Sequence, residues 1–154
     1  MQVTEIPIDD IQPHPLNPRR GDIKAIEASI RENGFYGFIV VQPTTSYILK
    51  GNHTWKALRR LGWKTVPVHF LDVDDDAAER ILLSDNRVSD SGSYDEKRLL
   101  AILDIHSKRT GALEGTGYDE EDLMRLHRRF VSPGSAQKKP ERPRQVCPNC
   151  GHRF

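Results

Sequence analysis

Residues 47–62, Tyr-Ile-Leu-Lys-Gly-Asn-His-Thr-Trp-Lys-Ala-Leu-Arg-Arg-Leu-Gly, can fold in few ways. Tyr47, Ile48 and Leu49 suit a strand. Gly51 allows a tight turn or a close approach of backbone to a ligand. Asn52 is a good N-cap for a following helix. On that helix Trp55, Leu58 and Leu61 share one face and should pack inward. Asn52, Lys56, Arg59 and Arg60 share another face, at i, i+4, i+7 and i+8. A helix N-terminus carries free N–H groups and partial positive charge, so it favours an anion such as phosphate. The unit therefore reads as strand, glycine turn and helix with a phosphate cradle. An ordinary amphipathic helix with a basic solvent face is the competing reading. The run Asn52-His53-Thr54, three hydrogen-bonding side chains at one helix start, favours a ligand.

The flanking pattern is α/β. Strands are expected at Val3–Ile8, Phe38–Gln42, Tyr47–Lys50 and Thr65–Leu71, with Pro67 suggesting an edge position for the last. The second and third could form a hairpin. Helices are expected over 22–33, with Ile23, Ile26 and Ile30 inward and a stop at Asn33-Gly34, over 52–62, and over 74–86 with Ala78, Ile81 and Leu82 inward. After a connector at 89–94, two more helices follow. One covers about 95–107 with Leu99, Ile102 and Leu103 inward. The other covers about 119–130 with Leu123, Leu126 and Phe130 inward. From Ser132 the composition turns to Ser, Pro, Gly, Gln, Lys and Arg, as in a disordered linker. The expected organisation is a domain over 1–90, a helical extension over 91–131, a basic linker over 132–146 and a terminal knuckle over 147–154.

Charge is unevenly spread. The chain carries a net +1. Residues 132–154 hold Lys138, Lys139, Arg142, Arg144 and Arg153 against Glu141, so a +4 tail follows a −3 body. Such a tail can hold nucleic acid without reading its sequence. A solvated linker is the alternative. No apolar run is long enough to span a membrane, and the first residues lack a signal-peptide pattern. The only cysteines are Cys147 and Cys150, so a reducing, cytoplasmic setting is expected.

Three further segments could carry chemistry. Asp85, seven residues after Ala78 and four after Ile81, falls on the apolar side of its helix. There a carboxylate needs a metal, a cation or hydrogen-bond donors. It is a candidate magnesium ligand with Asn86. Alternatively it caps the helix end or pairs with Arg80 or Arg87. Asn17-Pro-Arg-Arg20 is a stiff loop with two guanidiniums that suit phosphate oxygens, or else a surface turn. Cys147-Pro-Asn-Cys-Gly-His152 is half a zinc ribbon, with His152 a candidate third ligand. Completing the site needs another group or a second copy of the chain, which makes a homodimer one candidate assembly. No cysteine lies elsewhere, so thiol catalysis in the body is excluded. His14, His69, His106 and His127 have no metal-ligand spacing.

In order along the chain, these pieces resemble the N-terminal domain of the ParB/sulfiredoxin superfamily over about residues 3–90. They are a strand and Asn17-Pro-Arg19; a helix into Asn33-Gly34; Ile39-Val-Val41; and Gly51-Asn-His-Thr-Trp-Lys-Ala57, where ParB proteins show Gly-Glu-Arg-Arg-x-x-Ala. Then come Leu61-Gly62, Val66-Pro-Val68, and Asp85-Asn86-Arg87, where ParB proteins show Glu-Asn-x-x-Arg. Asp72-Val-Asp-Asp-Asp76, Ile81–Arg87 and Gly115-Thr-Gly-Tyr-Asp119 look like phage and actinobacterial members that accompany DNA methyltransferases.

The resemblance implies a small mixed sheet with helices, of α/β (α+β) class, that binds CTP or ATP with magnesium and acts on or near DNA. By position it puts Gly51, Asn52, His53, Thr54, Lys56, Arg19, Arg20 and Arg87 around the nucleotide. Asp85 and Asn86 would lie at the metal, with Asp85 and His53 as candidate catalytic groups. Hydrolysis or phosphate transfer stays open. So do a metal-dependent nuclease and a non-catalytic adaptor for DNA or a methyltransferase. The chain departs from the pattern in three places. His53 and Thr54 replace paired arginines. Gly37-Phe38 replaces Gln-Pro. Asn52 stands where sulfiredoxin has its catalytic cysteine, which excludes that activity. Two helices and a tail follow, where chromosome-partition members carry helix-turn-helix and dimerisation domains, so centromere clamping is not expected.

Overall fold

The computed structural model describes residues 1–131. Five strands form one mixed sheet: β1 (Thr4–Pro7), β2 (Gln12–Pro13), β3 (Ile39–Val41), β4 (Tyr47–Lys50) and β5 (Thr65–Phe70). Their spatial order is β1-β5-β3-β4-β2. The helices are α1 (Ile23–Asn33), α2 (Asn52–Arg60), α3 (Asp75–Asp90), α4 (Glu96–Thr110) and α5 (Glu120–Phe130). A 3₁₀ turn at Ile8–Asp10 joins the first two strands.

The apolar run Ile39-Val-Val41 makes sense once both faces of its strand are covered, because alternate side chains then meet different layers. Ile39 and Val41 join Ile48, Val66 and Val68 in the main core with Ile30, Trp55 and Leu58 of α1 and α2. Val40 and Leu49 point the other way, onto Ala78 and Ile81 of α3. Helices thus sandwich the central strands. The Trp55 indole N–H reaches 2.8 Å to the Ile8 carbonyl, so its large ring is buried with its one donor satisfied. A separate cluster, Leu100, Leu103, Leu113, Leu123 and Leu126, holds α4 against α5.

The α/β class and most elements agree with the sequence pattern, and β3 and β4 pair antiparallel as a hairpin. Four details differ. β5 is interior, between β1 and β3, despite Pro67. Its ladder with β3 starts at Val68, so Pro67 lies where that flank is open. The two-residue strand β2, parallel to β4, had no readable signal. α3 continues to Asp90, so Asp85-Asn86-Arg87 is helix interior rather than a C-terminal turn. On α4, Leu100 rather than Ile102 turns inward, and Ile102 is 63% exposed. Among the described residues no helix is long and apolar enough to cross a membrane.

Gln42 is the other polar side chain buried in this domain besides Asn52. Its amide nitrogen donates to the Val73 carbonyl at 3.0 Å and to Asp75 Oδ1 at 2.9 Å. Its oxygen accepts from the Thr45 hydroxyl at 2.7 Å. It therefore ties the β3–β4 turn to the start of α3. Gln42→Leu strands these partners and should cost about 1–3 kcal/mol. A urea unfolding curve should show a lower midpoint with an unchanged slope.

Candidate functional site

The β4–α2 junction is built around a left-handed turn. Gly51 has φ 94° and ψ 20° and caps α2. A Cβ there would lie 3.4 Å from Ile39 Cγ1, in a conformation L-residues rarely adopt. The Gly51 carbonyl already accepts from Trp55 N–H, at 2.8 Å, so α2 begins at the turn itself.

Asn52 is not the cap that the sequence suggested. It is the first helical residue and only 5% exposed. Its Nδ2 donates to the Ile48 carbonyl at 2.9 Å, and its Oδ1 accepts from His14 N–H at 2.9 Å. The side chain is turned inward because it splices the proline-rich loop onto the end of β4. It therefore leaves the solvent face it was expected to share with Lys56, Arg59 and Arg60.

His53 fastens the same loop one step later. Its Nε2 accepts from Gly21 N–H at 2.9 Å. A Cβ on Gly21 would come within 2.7 Å of His53 Cγ, so the ring can lie here only against a glycine. Burial, then the charges of Lys56 and Arg19, push the His53 pKa below its ordinary 6.5, against a weaker raising effect of the Arg19 backbone. His53 is thus neutral at pH 7, with Nε2 as an acceptor.

Between this junction, the loop and α3 lies a cavity of about 370 Å³. Asn17, Arg19, Lys50, Gly51, Asn52, His53, Thr54, Asp85 and Asn86 all line it. The three sequence segments expected to meet do so. Lys56, Arg20 and Arg87 are not in the lining. Lys50 is, and it was not singled out from sequence. The residue before a glycine turn carries no pattern of its own; only the approach of α3 makes it a site residue. Its Nζ is 2.8 Å from Asp85 Oδ1. Asp85 therefore pairs with Lys50, not with Arg80 or Arg87, and its side chain is 29% exposed. Asn86 Nδ2 donates to Asn17 Oδ1 at 3.1 Å, joining α3 to the loop. Arg19 forms a 2.8 Å pair with Asp90. Among the described residues no group of three or more His, Cys, Asp or Glu side chains could hold a metal ion by itself. Cys147, Cys150 and His152 lie outside the described residues.

A strand, a left-handed glycine and a helix start facing a polar cavity with two cations define a small α/β domain able to hold an anionic ligand. The chain belongs to the ParB N-terminal domain family, whose model matches residues 1–87. It is 35% identical over 91 residues to the chromosome-partitioning protein ParB of Caulobacter vibrioides, covering 53% of this chain and 30% of that protein. It is 29% identical over 122 residues to the nucleoid occlusion protein of Bacillus licheniformis, covering 73% of this chain and 43% of that one. These matches thus span less than half of either relative. A C-terminally truncated ParB from Caulobacter crescentus, solved with CTP-γ-S, superposes with a TM-score of 0.70 at 24% identity, over 87% of this chain and 81% of that one. This likeness confirms the fold.

The lowered His53 pKa has a consequence for stability. The unfolded chain binds the proton more readily than the native one, so stability rises with pH across this titration. The Gly21–His53 contribution is complete above about pH 6.5 and is lost as pH falls through the lower native value. An NMR titration should place the His53 midpoint below 6.5. His53→Gln should remove that part of the pH dependence of the unfolding midpoint between pH 7.5 and 5.

Proposed function

We propose that the domain binds a nucleoside triphosphate, CTP or ATP, with magnesium, and acts on or near DNA. The observation that carries this reading is the meeting of the Gly51 turn, the α2 N-terminus, Arg19 and Lys50 at one cavity. The N–H groups of Asn52, His53 and Thr54 precede the first intrahelical donor, Trp55. They supply the helix-start donors that phosphate oxygens accept from. The family relative solved with CTP-γ-S supports a nucleotide as the ligand.

Asp85 and Asn86 offer oxygens for magnesium. The ion commonly takes one or two protein ligands together with phosphate oxygens and water, so a site without a preformed acidic cluster fits an ion that arrives with its nucleotide. Asp85 and the neutral His53 would be the groups closest to the transferred or hydrolysed phosphate. A two-metal nuclease has less support: Asp22, the other carboxylate of the lining, is committed to capping α1 at Ala25 N–H, 3.0 Å away. Calorimetry with CTP, ATP and GTP in magnesium should show micromolar binding of one nucleotide. Gly51→Glu should lose it, because a side chain at φ 94° is strained and a carboxylate repels phosphate. No binding of any of the three by the wild type would leave an adaptor whose pocket is vestigial.

The relatives' chromosome-partitioning and nucleoid-occlusion roles support a place on DNA. The +4 segment 132–154 would provide sequence-independent attraction to DNA, or to a DNA-modifying partner such as a methyltransferase. Cys147, Cys150 and His152 would hold zinc there, and a second copy of the chain could supply the rest of a tetrahedral shell. Metal analysis of purified protein should find up to one zinc per two chains for a shared site. Cys147→Ser should remove the metal and the dimer together.

A further inference from the structure

We infer that Lys50 is the phosphate-binding cation of this domain, and that Asp85 holds it in reserve when no nucleotide is bound. This rests on the triphosphate reading above and names a ligand residue within it. Helix α2 brings no arginine or lysine into the cavity: His53 and Thr54 stand at its mouth, and Lys56 is outside the lining. His53 is neutral and already engaged with Gly21. Among the described residues, Arg19 and Lys50 are the cations that line the cavity. Arg19 is turned to Asp90, which is not part of the lining. Lys50 is turned to Asp85, which is.

Lys50 is the residue just before the Gly51 turn, and it lines the same cavity as the start of α2. A triphosphate seated on the free N–H groups of α2 therefore lies within reach of a flexible four-carbon side chain. The Lys50 side chain is 57% exposed, so its pair with Asp85 is solvent-screened and weak. An anion with several charges competes with it readily. When Lys50 turns to phosphate, Asp85 is left as a carboxylate facing polyphosphate. That arrangement is unfavourable until a divalent cation lies between them. One exchange thus gives two results: a cation for the phosphates and a carboxylate for the metal. Without magnesium, Asp85 acts as a built-in competitor.

The experiment is calorimetric binding of the nucleotide preferred by the wild type, in EDTA and in magnesium, to Lys50→Gln, Asp85→Asn and the double variant. Circular dichroism melts check that each remains folded. Lys50→Gln should bind roughly ten- to a hundredfold more weakly in both buffers. Asp85→Asn should bind more tightly than the wild type in EDTA and lose that advantage in magnesium. The double variant is decisive. If Lys50 contacts phosphate, it stays as weak as Lys50→Gln in EDTA. If Lys50 only neutralises Asp85, the double variant returns to wild-type affinity and the inference fails. It also fails if Lys50→Gln binds as the wild type does. A wild type that binds no nucleotide overturns the underlying reading instead, and titration with inorganic tripolyphosphate then tests Lys50 alone by the same comparison.

Discussion

The site depends on one buried amide. Asn52 lies at the first turn of α2 and bonds backward to Ile48 and across to His14. Those two bonds fix where the proline-rich loop leaves the sheet. A buried carboxamide can be kept only if its donors and acceptor are satisfied, so the loop has little freedom at this point. His53 repeats the constraint seven residues further along the loop, at Gly21. Between the two anchors the loop carries Asn17 and Arg19 to the cavity wall. Two side chains at the start of one helix thereby position a segment that has no regular structure of its own. The side chains expected to face a ligand are partly diverted: Asn52 and His53 serve as scaffolding, and on the proposed reading backbone N–H groups and cations from outside α2 would face the phosphate.

The third wall is α3, and its placement follows from the double-faced sheet. Val40 and Leu49 project away from α1 and α2 and need a cover; Ala78 and Ile81 supply it. Gln42 fixes the beginning of the same helix through Val73 and Asp75. With its first turn tied there and its apolar face on the sheet, α3 runs past the cavity and presents Asp85, Asn86 and Asp90 in turn. Each meets a group from another segment: Lys50, Asn17 and Arg19. The exposed ion pairs among these contribute little to stability, about 0–1 kcal/mol each. Their importance is geometric, since they put opposite charges where a ligand and a metal would exchange partners with them.

Much of this was legible in the chain. The strand–glycine–helix unit, the inward faces of α1, α2 and α3 and the acidic start of α5 follow from periodicity and capping, which are local. Asp119 and Asp122 do form a capping box. That the loop, the glycine turn and the Asp85 helix converge came from the order of motifs along the chain. What local pattern could not supply were the decisions made by tertiary contacts. Asn52 satisfies every criterion for an N-cap, yet the cap is Gly51, because the interior offered the amide two partners at once. Pro67 reads as an edge residue, yet β5 is interior because only its first half needed an open flank. Lys50 has no neighbour in sequence that marks it, and its partner is 35 positions away.

The substitution of His53 and Thr54 at the helix mouth changes how such a pocket must work. Paired arginines there would give fixed charge that holds phosphate regardless of pH or metal. Here the helix start offers N–H groups, a neutral imidazole and a hydroxyl. The cavity's two cations, Arg19 and Lys50, are each paired with a carboxylate on α3. Neutral donors orient phosphate but compensate little of its charge, and a polyphosphate with several negative charges would still face Asp85. On the proposed reading, binding in such a site would lean on a divalent cation more heavily than binding in an arginine-lined one.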